Sequence, residues 1–313
     1  MKTLIIGAGA VGVAIGASLQ SRGFEVTFLA KGNTGDYIRE NGVKRTGIFG
    51  DIEVSPSQIS VVSDYKGNKN YDYIIVSAKT MANAEIAEKL AGHREILGPN
   101  GKIVIFQNGW GNDVPYLKYF DKNQVYNARI ITGFERITPG VSKVTVHTAP
   151  ILLGSLYGMD AQCMEPLAKA ICESGIPSEV TDEVAKALWA KMLFNTTLNP
   201  LGAILNLSYG KMSELENARI IMNKLIDETY EVMTAEGYTT FWASPDEYRE
   251  AFYGKLVPDT YLHRSSTLQD IEKKQKTEID TLNGCIVKLA SARGIKVPTH
   301  EMIVNLIKAI ENK

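Results

Sequence analysis

MKTLIIGAGAVGVAIGASL, residues 1–19, decides how the rest of the chain reads. Thr3-Leu4-Ile5-Ile6 is a short apolar strand, and Val11 to Arg22 carries a helical period that Gly23 closes. Between them stands Gly7-Ala8-Gly9-Ala10-Val11-Gly12, a GxGxxG turn. Strand, glycine turn and helix in this order form the loop that lets backbone approach a pyrophosphate. Gly7 allows the tight turn, Gly9 the close approach, and Gly12 the packing of helix on sheet; Ala8, Ala10 and Val11 complete the loop. The helix start then offers unpaired N–H groups and its positive dipole end to phosphates. One lysine followed by an apolar run also resembles a signal peptide, but glycines interrupt the run at helix-forming spacing.

Working outward, strand and helix signals alternate. Val26-Thr27-Phe28-Leu29 is a second strand, and Ile38 to Glu40 starts a crossover that Asn41-Gly42 interrupts. Tyr73 to Val76 is a third strand, a helix follows from about Ala82 to Leu90, and Lys102 to Phe106 follows a turn at Pro99-Asn100-Gly101. This alternation predicts a parallel sheet covered on both faces. The β-like runs Lys143 to His147 and Ile151 to Leu153 are expected to complete that sheet. Beyond about residue 180 helical patterns dominate, over 182–206, 213–236, 245–252, 265–292 and 299–311. The fold class expected is an α/β Rossmann-type N-terminal domain, residues 1–180, followed by an all-α C-terminal domain, residues 181–313.

Composition narrows the function. Of 313 residues, 44% are hydrophobic and 22% charged, which suits a globular protein. A net charge of -1 gives no reason to expect nucleic acid or an anionic membrane as partner. No apolar run reaches the roughly 18 residues of a membrane span. Cys163, Cys172 and Cys285 form no CxxC pair and neighbour no histidine at metal-ligand spacing. No metal site is expected, and an odd cysteine count fits a cytoplasmic location.

The second strand ends in Ala30-Lys31-Gly32-Asn33, where an NAD site usually carries Asp or Glu for the ribose hydroxyls. Without the acid, a 2′-phosphate is not repelled, and Lys31 can pair with it. Lys79, just past the strand ending at Val76, is a second cation for the same group. NADPH is therefore favoured over NADH as cofactor. In the second half, Lys191, Asn195 and Asn199 recur every four residues, which places them on one stripe of a helix. Leu188, Met192, Phe194, Leu198 and Leu201 surround them, and an apolar helix rarely carries three such polar residues without partners. Their bland alternative is a solvated face. Pro200 would kink or open the helix beside that stripe. Ser265 reads as a helix N-cap, and Ser266 and Glu278 lie about three turns apart on a continuous helix. By spacing alone these two are capping and surface residues.

Taken together, GAGAVG at the start, QNG at 107–109, WAKMLFNTTLNPLGAI at 189–204, SSTLQDIEKKQKTEIDTLNG at 265–284 and GIKVPTHEMI at 294–303 resemble the ketopantoate reductases. The resemblance runs nearly the full length. It implies a Rossmann domain, a helical domain and an active site in the cleft between them. It also implies reduction of 2-dehydropantoate to pantoate with NADPH, a step towards pantothenate and coenzyme A. By motif, Lys191 matches the family's catalytic lysine and Glu278, in Thr-Glu-Ile-Asp, its catalytic glutamate. Asn108 matches the asparagine near cofactor and lysine. Asn195, Asn199 and Ser266 match substrate-binding positions, while Lys31 and Lys79 match the phosphate-binding cations. His263, Tyr209 and Thr267 depart from the pattern, the first two standing where asparagines near the substrate are usual.

In the mechanism this resemblance implies, Lys191 stabilises and protonates the oxygen that gains charge on hydride transfer, and Glu278 holds it in place. Ser266 takes the substrate carboxylate, and Asn195 and Asn199 the hydroxyl at the other end. Two further readings remain: a reductase of another small 2-oxo acid, motivated by His263 and Tyr209, and a non-catalytic NADP-binding sensor. A hydroxyacid or opine dehydrogenase shares the fold logic but would more often place a histidine at the carbonyl. Expected partners are the 2-oxo acid and, as an open option, a second copy in a homodimer.

Overall fold

The structure is a computed structural model describing residues 1–313. The chain divides into two compact units, Met1–Gln107 with Asn112–Val184, and Asn108–Gly111 with Ala185–Lys313. The division thus falls four residues after the expected 180/181 boundary, and the short segment after Gln107 belongs to the second unit.

In the first unit the elements run β1 (Lys2–Ile6), α1 (Ala10–Gln20), β2 (Glu25–Leu29), α2 (Gly32–Asn41), β3 (Val43–Gly47), β4 (Ile52–Val54), β5 (Ser60–Val62) and β6 (Tyr71–Val76). They continue as α3 (Asn83–Gly92), β7 (Leu97–Ile105), β8 (Val125–Arg129), β9 (Thr132–Thr138), β10 (Val141–His147), β11 (Ile151–Gly154), α4 (Glu165–Glu173) and β12 (Ser178–Val180). Eight strands form one sheet in the order β12-β11-β8-β7-β6-β1-β2-β5. β1 lies between β2 and β6, parallel to both, in the register Ile5↔Phe28 and Ile5↔Ile75. Its alternate residues serve opposite faces: Leu4 and Ile6 join one apolar cluster, Ile5 the other.

Three expectations change here. Lys143 to His147 lie in β10, which belongs to a separate four-stranded sheet, β4-β3-β10-β9, and does not extend the first. Ile151 to Leu153 do join the first sheet, but β11 runs antiparallel to β8, so the sheet is mixed. Pro99-Asn100-Gly101 do not form a separate turn ahead of the strand, which already begins at Leu97. They bulge out of β7, where Tyr71 pairs with Leu97 but Tyr73 with Lys102. The second sheet explains why α1 is apolar all round. Gly12 to Leu19 are buried, and the α1 core residues share a cluster with Ile5 and Phe28 of the first sheet and Val43 and Val144 of the second. Arg45 of β3, 1% exposed, ties this packing together. Its guanidinium donates to Ser18 Oγ of α1 at 2.7 Å and to the Ser174 carbonyl after α4 at 2.8 Å.

The second unit is helical: α5 (Val184–Leu205), α6 (Tyr209–Ser213), α7 (Glu216–Ala235), α8 (Pro245–Ala251), α9 (Val257–Asp259), α10 (Ser266–Glu272), α11 (Asn283–Arg293) and α12 (Pro298–Glu311). A wide π turn, Phe252–Leu256, joins α8 to α9. α5 continues through Pro200. The proline has no N–H for the Thr196 carbonyl, and Asn283 Nδ2 donates to that carbonyl instead, at 2.9 Å. The same Nδ2 faces His300 Nδ1 at 3.1 Å, which makes Nδ1 the acceptor and leaves the ring proton on Nε2. Nε2 then donates towards Thr229 Oγ1 and the Leu225 carbonyl.

The expected helix over 265–292 is broken. Lys274 turns left-handed (φ 53°), Gln275 N–H closes on the Asp270 carbonyl, and α10 ends. The chain then runs to Thr277, whose N–H and hydroxyl both donate to Glu311 at the end of α12. Ser266 and Glu278 are therefore not related by helical turns.

Asn283 is fully buried, so Asn283→Ala leaves the Thr196 carbonyl and His300 Nδ1 without donors. It should lower stability by about 2 kcal/mol or more, read as a lower urea midpoint at unchanged slope. Burial, opposed by the bond to the Leu225 carbonyl, lowers the His300 pKa from 6.5 to about 4. Between those values the unfolded chain binds a proton that the native chain does not. This contribution is complete above pH 6.5 and falls by about 3 kcal/mol as pH drops through 4. His300→Gln should lose less urea stability than wild type over that window, and parallel pH profiles would refute the assignment.

Candidate active site

The GxGxxG turn joins β1 to α1, at the carboxyl end of an inner strand of the eight-stranded sheet. Gly7 has φ +106°, and a Cβ there would lie 2.3 Å from the Ala78 backbone nitrogen. Both the conformation and the contact demand glycine. A Cβ on Gly12 would lie 2.1 Å from the Gly7 carbonyl oxygen, so the helix sits directly on the turn. Gly9 differs. It is the N-cap of α1, and beyond its adjoining residues no atom of the chain lies within 4 Å of where its Cβ would stand. The first helical bond runs from Val13 N–H to the Gly9 carbonyl, and the first turn holds no acidic residue. A pyrophosphate fits this open, donor-rich edge.

Lys31 and Lys79 flank that turn. Lys31 is the exposed N-cap residue of α2, just past β2, and Lys79 is exposed just past β6. β2 and β6 are the two neighbours of β1, so both lysines follow carboxyl ends of adjacent parallel strands. The loop after β6 is itself anchored. Gln107 Nε2 donates to the Ala78 carbonyl at 2.6 Å and to Asn83 Oδ1 at 2.8 Å, while Asn83 Nδ2 returns a bond to Gln107 Oε1. Spacing gave no hint of this buried amide pair.

The second unit assembles the other half of the chemistry. Lys191 Nζ donates to Asn108 Oδ1 at 2.6 Å, and Asn108 Nδ2 donates to Glu278 Oε2 at 3.0 Å. One amide thus stands between the ammonium and the carboxylate, so Glu278 reaches Lys191 through Asn108. The segment carrying Asn108 is held by its neighbours. Gly109 (φ +92°) leaves room for the Thr281 carbonyl, 2.4 Å from where a Cβ would be, and Trp110 N–H bonds that carbonyl. The Trp110 ring packs on Trp189 and Tyr238, with centroids 4.7 and 4.8 Å away. Trp189 is fully buried two residues before Lys191, on the back of α5. This aromatic anchor was not anticipated. Its signal is the tryptophan directly after QNG together with a second one within two residues of the lysine.

The polar stripe of α5 is not a solvated face. Lys191 and Asn195 are half-buried, and Asn199 is buried. Asn199 Oδ1 accepts the Tyr209 hydroxyl at 2.5 Å, and its backbone carbonyl accepts Ser265 Oγ at 2.8 Å. Ser265 also caps α10 by accepting Leu268 N–H, which sets the exposed Ser266 at the first helical position. The His263 ring lies 5.0 Å from that of Tyr209. The second unit therefore gathers Lys191, Asn195, Asn199, Asn108 and Glu278 with the Ser265-Ser266 pair, Tyr209 and His263.

Known proteins resemble the chain over its full length. Residues 3–158 match the family described as ketopantoate reductase PanE/ApbA, and residues 183–311 match its C-terminal region. The chain is 36% identical over 312 residues to the 2-dehydropantoate 2-reductase of Aquifex aeolicus (strain VF5), covering 99% of this chain and 97% of that one. It is 27% identical to the 2-dehydropantoate 2-reductase of Archaeoglobus fulgidus, over 99% and 98% of the two chains. A PanE/ApbA family ketopantoate reductase from Ralstonia eutropha JMP134 superposes with TM-score 0.84 at 27% identity, covering 100% and 99%. A D-mandelate dehydrogenase, solved with NADH and anilino(oxo)acetate, shares the fold with TM-score 0.85 at 22% identity, covering 100% and 99%.

The first two glycines of the turn should separate folding from binding. Gly7→Ala forces a clash with backbone and should cost more than about 2 kcal/mol of stability. Gly9→Ala meets no protein atom, so it should keep the melting temperature while weakening dinucleotide affinity at least about tenfold. Calorimetry and a fluorescence titration with NADPH read the two effects, and a Gly9→Ala protein that binds normally would remove the turn from the site.

Proposed function

The chain belongs to the ketopantoate reductase PanE/ApbA family, and from that premise we propose that it reduces 2-dehydropantoate to pantoate with NADPH. The reaction is an oxidoreduction at a CH–OH group, and it would serve the synthesis of pantothenate and coenzyme A. The observation that carries the reading is the Lys191–Asn108–Glu278 chain of hydrogen bonds beside the Asn195 and Asn199 amides. NADPH, when bound at the GxGxxG turn, supplies the hydride.

Lys191 directs its ammonium at the 2-keto oxygen, where negative charge grows as the carbonyl is reduced, and then delivers a proton to that oxygen. Asn108 holds Nζ through its Oδ1. Because Glu278 engages the other end of the Asn108 amide, the oxygen stays turned to the lysine. Ser266 takes the substrate carboxylate, and Asn195 and Asn199 take the hydroxyl at the far end. On the first unit, the Gly7-to-Gly12 turn (Gly7, Ala8, Gly9, Ala10, Val11, Gly12) receives the pyrophosphate. The cations Lys31 and Lys79 receive the 2′-phosphate. Lys31 is favoured for this because no acidic residue stands at the end of β2. Tyr209 and His263 motivate one second reading, a related reductase of another small 2-oxo acid.

The reading is tested by following NADPH oxidation by the purified protein with ketopantoate, a panel of other 2-oxo acids, and NADH in place of NADPH. Turnover with ketopantoate is expected, and turnover only with a different acid would favour the second reading. Lys191→Ala should lower kcat by about 10²- to 10⁴-fold while changing NADPH affinity little. Equal loss of both would count against the role given to Lys191. Lys31→Glu should raise the KM for NADPH far more than that for NADH, and an unchanged ratio would take Lys31 out of the phosphate site.

A further inference from the structure

Asn199 is a group with two faces, and the structure shows which one is used internally. Its Oδ1 accepts the Tyr209 hydroxyl at 2.5 Å, its main-chain carbonyl accepts Ser265 Oγ, and its Nδ2 makes no hydrogen bond within the chain. Tyr209 is 2% exposed, and its hydroxyl has no second acceptor. Turning the Asn199 amide over would place N–H against the phenol and strand the phenolic proton in a buried site. That arrangement costs on the order of a lost buried hydrogen bond. Burial raises the Tyr209 pKa, so the phenol stays protonated and remains a donor.

Tyr209 is itself held in place. Its N–H bonds the His263 carbonyl at 3.1 Å, and the next N–H, of Gly210, bonds the Tyr261 carbonyl at 2.9 Å. Its ring meets Phe194 edge-on, with centroids 5.6 Å apart, and the His263 ring lies against its other side. Gly210 has no Cβ where the Tyr261 ring passes, 1.9 Å away. The ring has little freedom to withdraw its hydroxyl from Asn199. An asparagine at position 209 would behave differently, since it both donates and accepts and would leave the Asn199 amide able to face either way.

Resting on the reductase reading above, we propose that Tyr209 is a positioning residue that locks the Asn199 amide with its N–H group towards the substrate. The chain thereby selects 2-oxo acids that carry an oxygen acceptor, such as a hydroxyl, at the end remote from the keto group. An alkyl end in the same place leaves the Asn199 donor desolvated and unpaired, which is where such selectivity comes from.

The test compares ketopantoate with its 4-deoxy analogue, 3,3-dimethyl-2-oxobutanoate, which differs only by the hydroxyl. Wild type should prefer ketopantoate in kcat/KM. Tyr209→Phe keeps the ring packing and should reduce that preference about tenfold, through a higher KM for ketopantoate and with kcat nearly constant. In an Asn199→Ala background the same substitution should change the preference less than about twofold, because the amide it orients is gone. NADPH affinity, measured alongside, reports that each variant is folded. Should Tyr209→Phe fail that check, Asn199→Leu gives the second readout: similar in size, it has neither an N–H nor an acceptor to offer the substrate hydroxyl and should lose the preference. Equal loss with both substrates, an unchanged preference, or a full effect without Asn199 would overturn the inference. A wild type that reduces both acids equally well overturns it alone and spares the reductase reading. A wild type that reduces no 2-oxo acid removes both.

Discussion

The site depends on one amide. Asn108 accepts from Lys191 at one end and donates to Glu278 at the other, because a primary amide accepts and donates from two separate atoms held in one plane. A carboxylate in its place would repel Glu278, and an alkyl group would leave the ammonium unguided. Gln107, the preceding residue, is bonded within the first unit to Ala78 and Asn83, whereas Asn108 to Gly111 belong to the second. Two neighbouring amides thus serve different units, and the loop carrying them is constrained on both sides. Gly109 and Trp110 complete the anchoring through Thr281, Trp189 and Tyr238.

A helix that carries polar side chains through an apolar unit must satisfy each of them. α5 meets that demand at Thr196 and Asn199, while Trp189 Nε1 and Thr197 Oγ1 are buried without a hydrogen-bond partner. The Thr196 carbonyl, left over by Pro200, is taken by Asn283, and the Thr196 hydroxyl bonds the Met192 carbonyl. The Asn199 carbonyl is taken by Ser265 and its side-chain oxygen by Tyr209. The Asn195 amide and the Asn199 Nδ2, which also make no internal bond, are the two proposed for the substrate.

The first unit solves a different problem, access to backbone. Gly7 and Gly12 are glycines because protein atoms occupy the space of a side chain, while Gly9 is one where no protein atom does. Three glycines in one motif thus have two physical reasons. The burial of α1 between two sheets, tied by Arg45 to Ser18 and Ser174, holds the helix start rigidly at the end of β1.

Much of this was determined by sequence alone. The GxGxxG turn, the parallel strands around it, the helical second half and the four-residue stripe of Lys191, Asn195 and Asn199 follow from local spacing, since hydrophobic period and glycine position act within a few residues. The family resemblance added the pairing of Lys191 with Glu278 and the identity of Asn108. What only tertiary structure decided rests on contacts distant in sequence. The separate sheet containing β10 and the antiparallel β11 depend on which edges find partners. The break after α10 carries no glycine or proline signal, because Lys274 takes the left-handed turn and Glu311 anchors Thr277. The rescue of the Thr196 carbonyl by Asn283 spans 87 residues, and the link from Asn108 to Glu278 spans 170. No local pattern encodes such bonds, because a donor and an acceptor meet there only after packing has brought their helices and loops together.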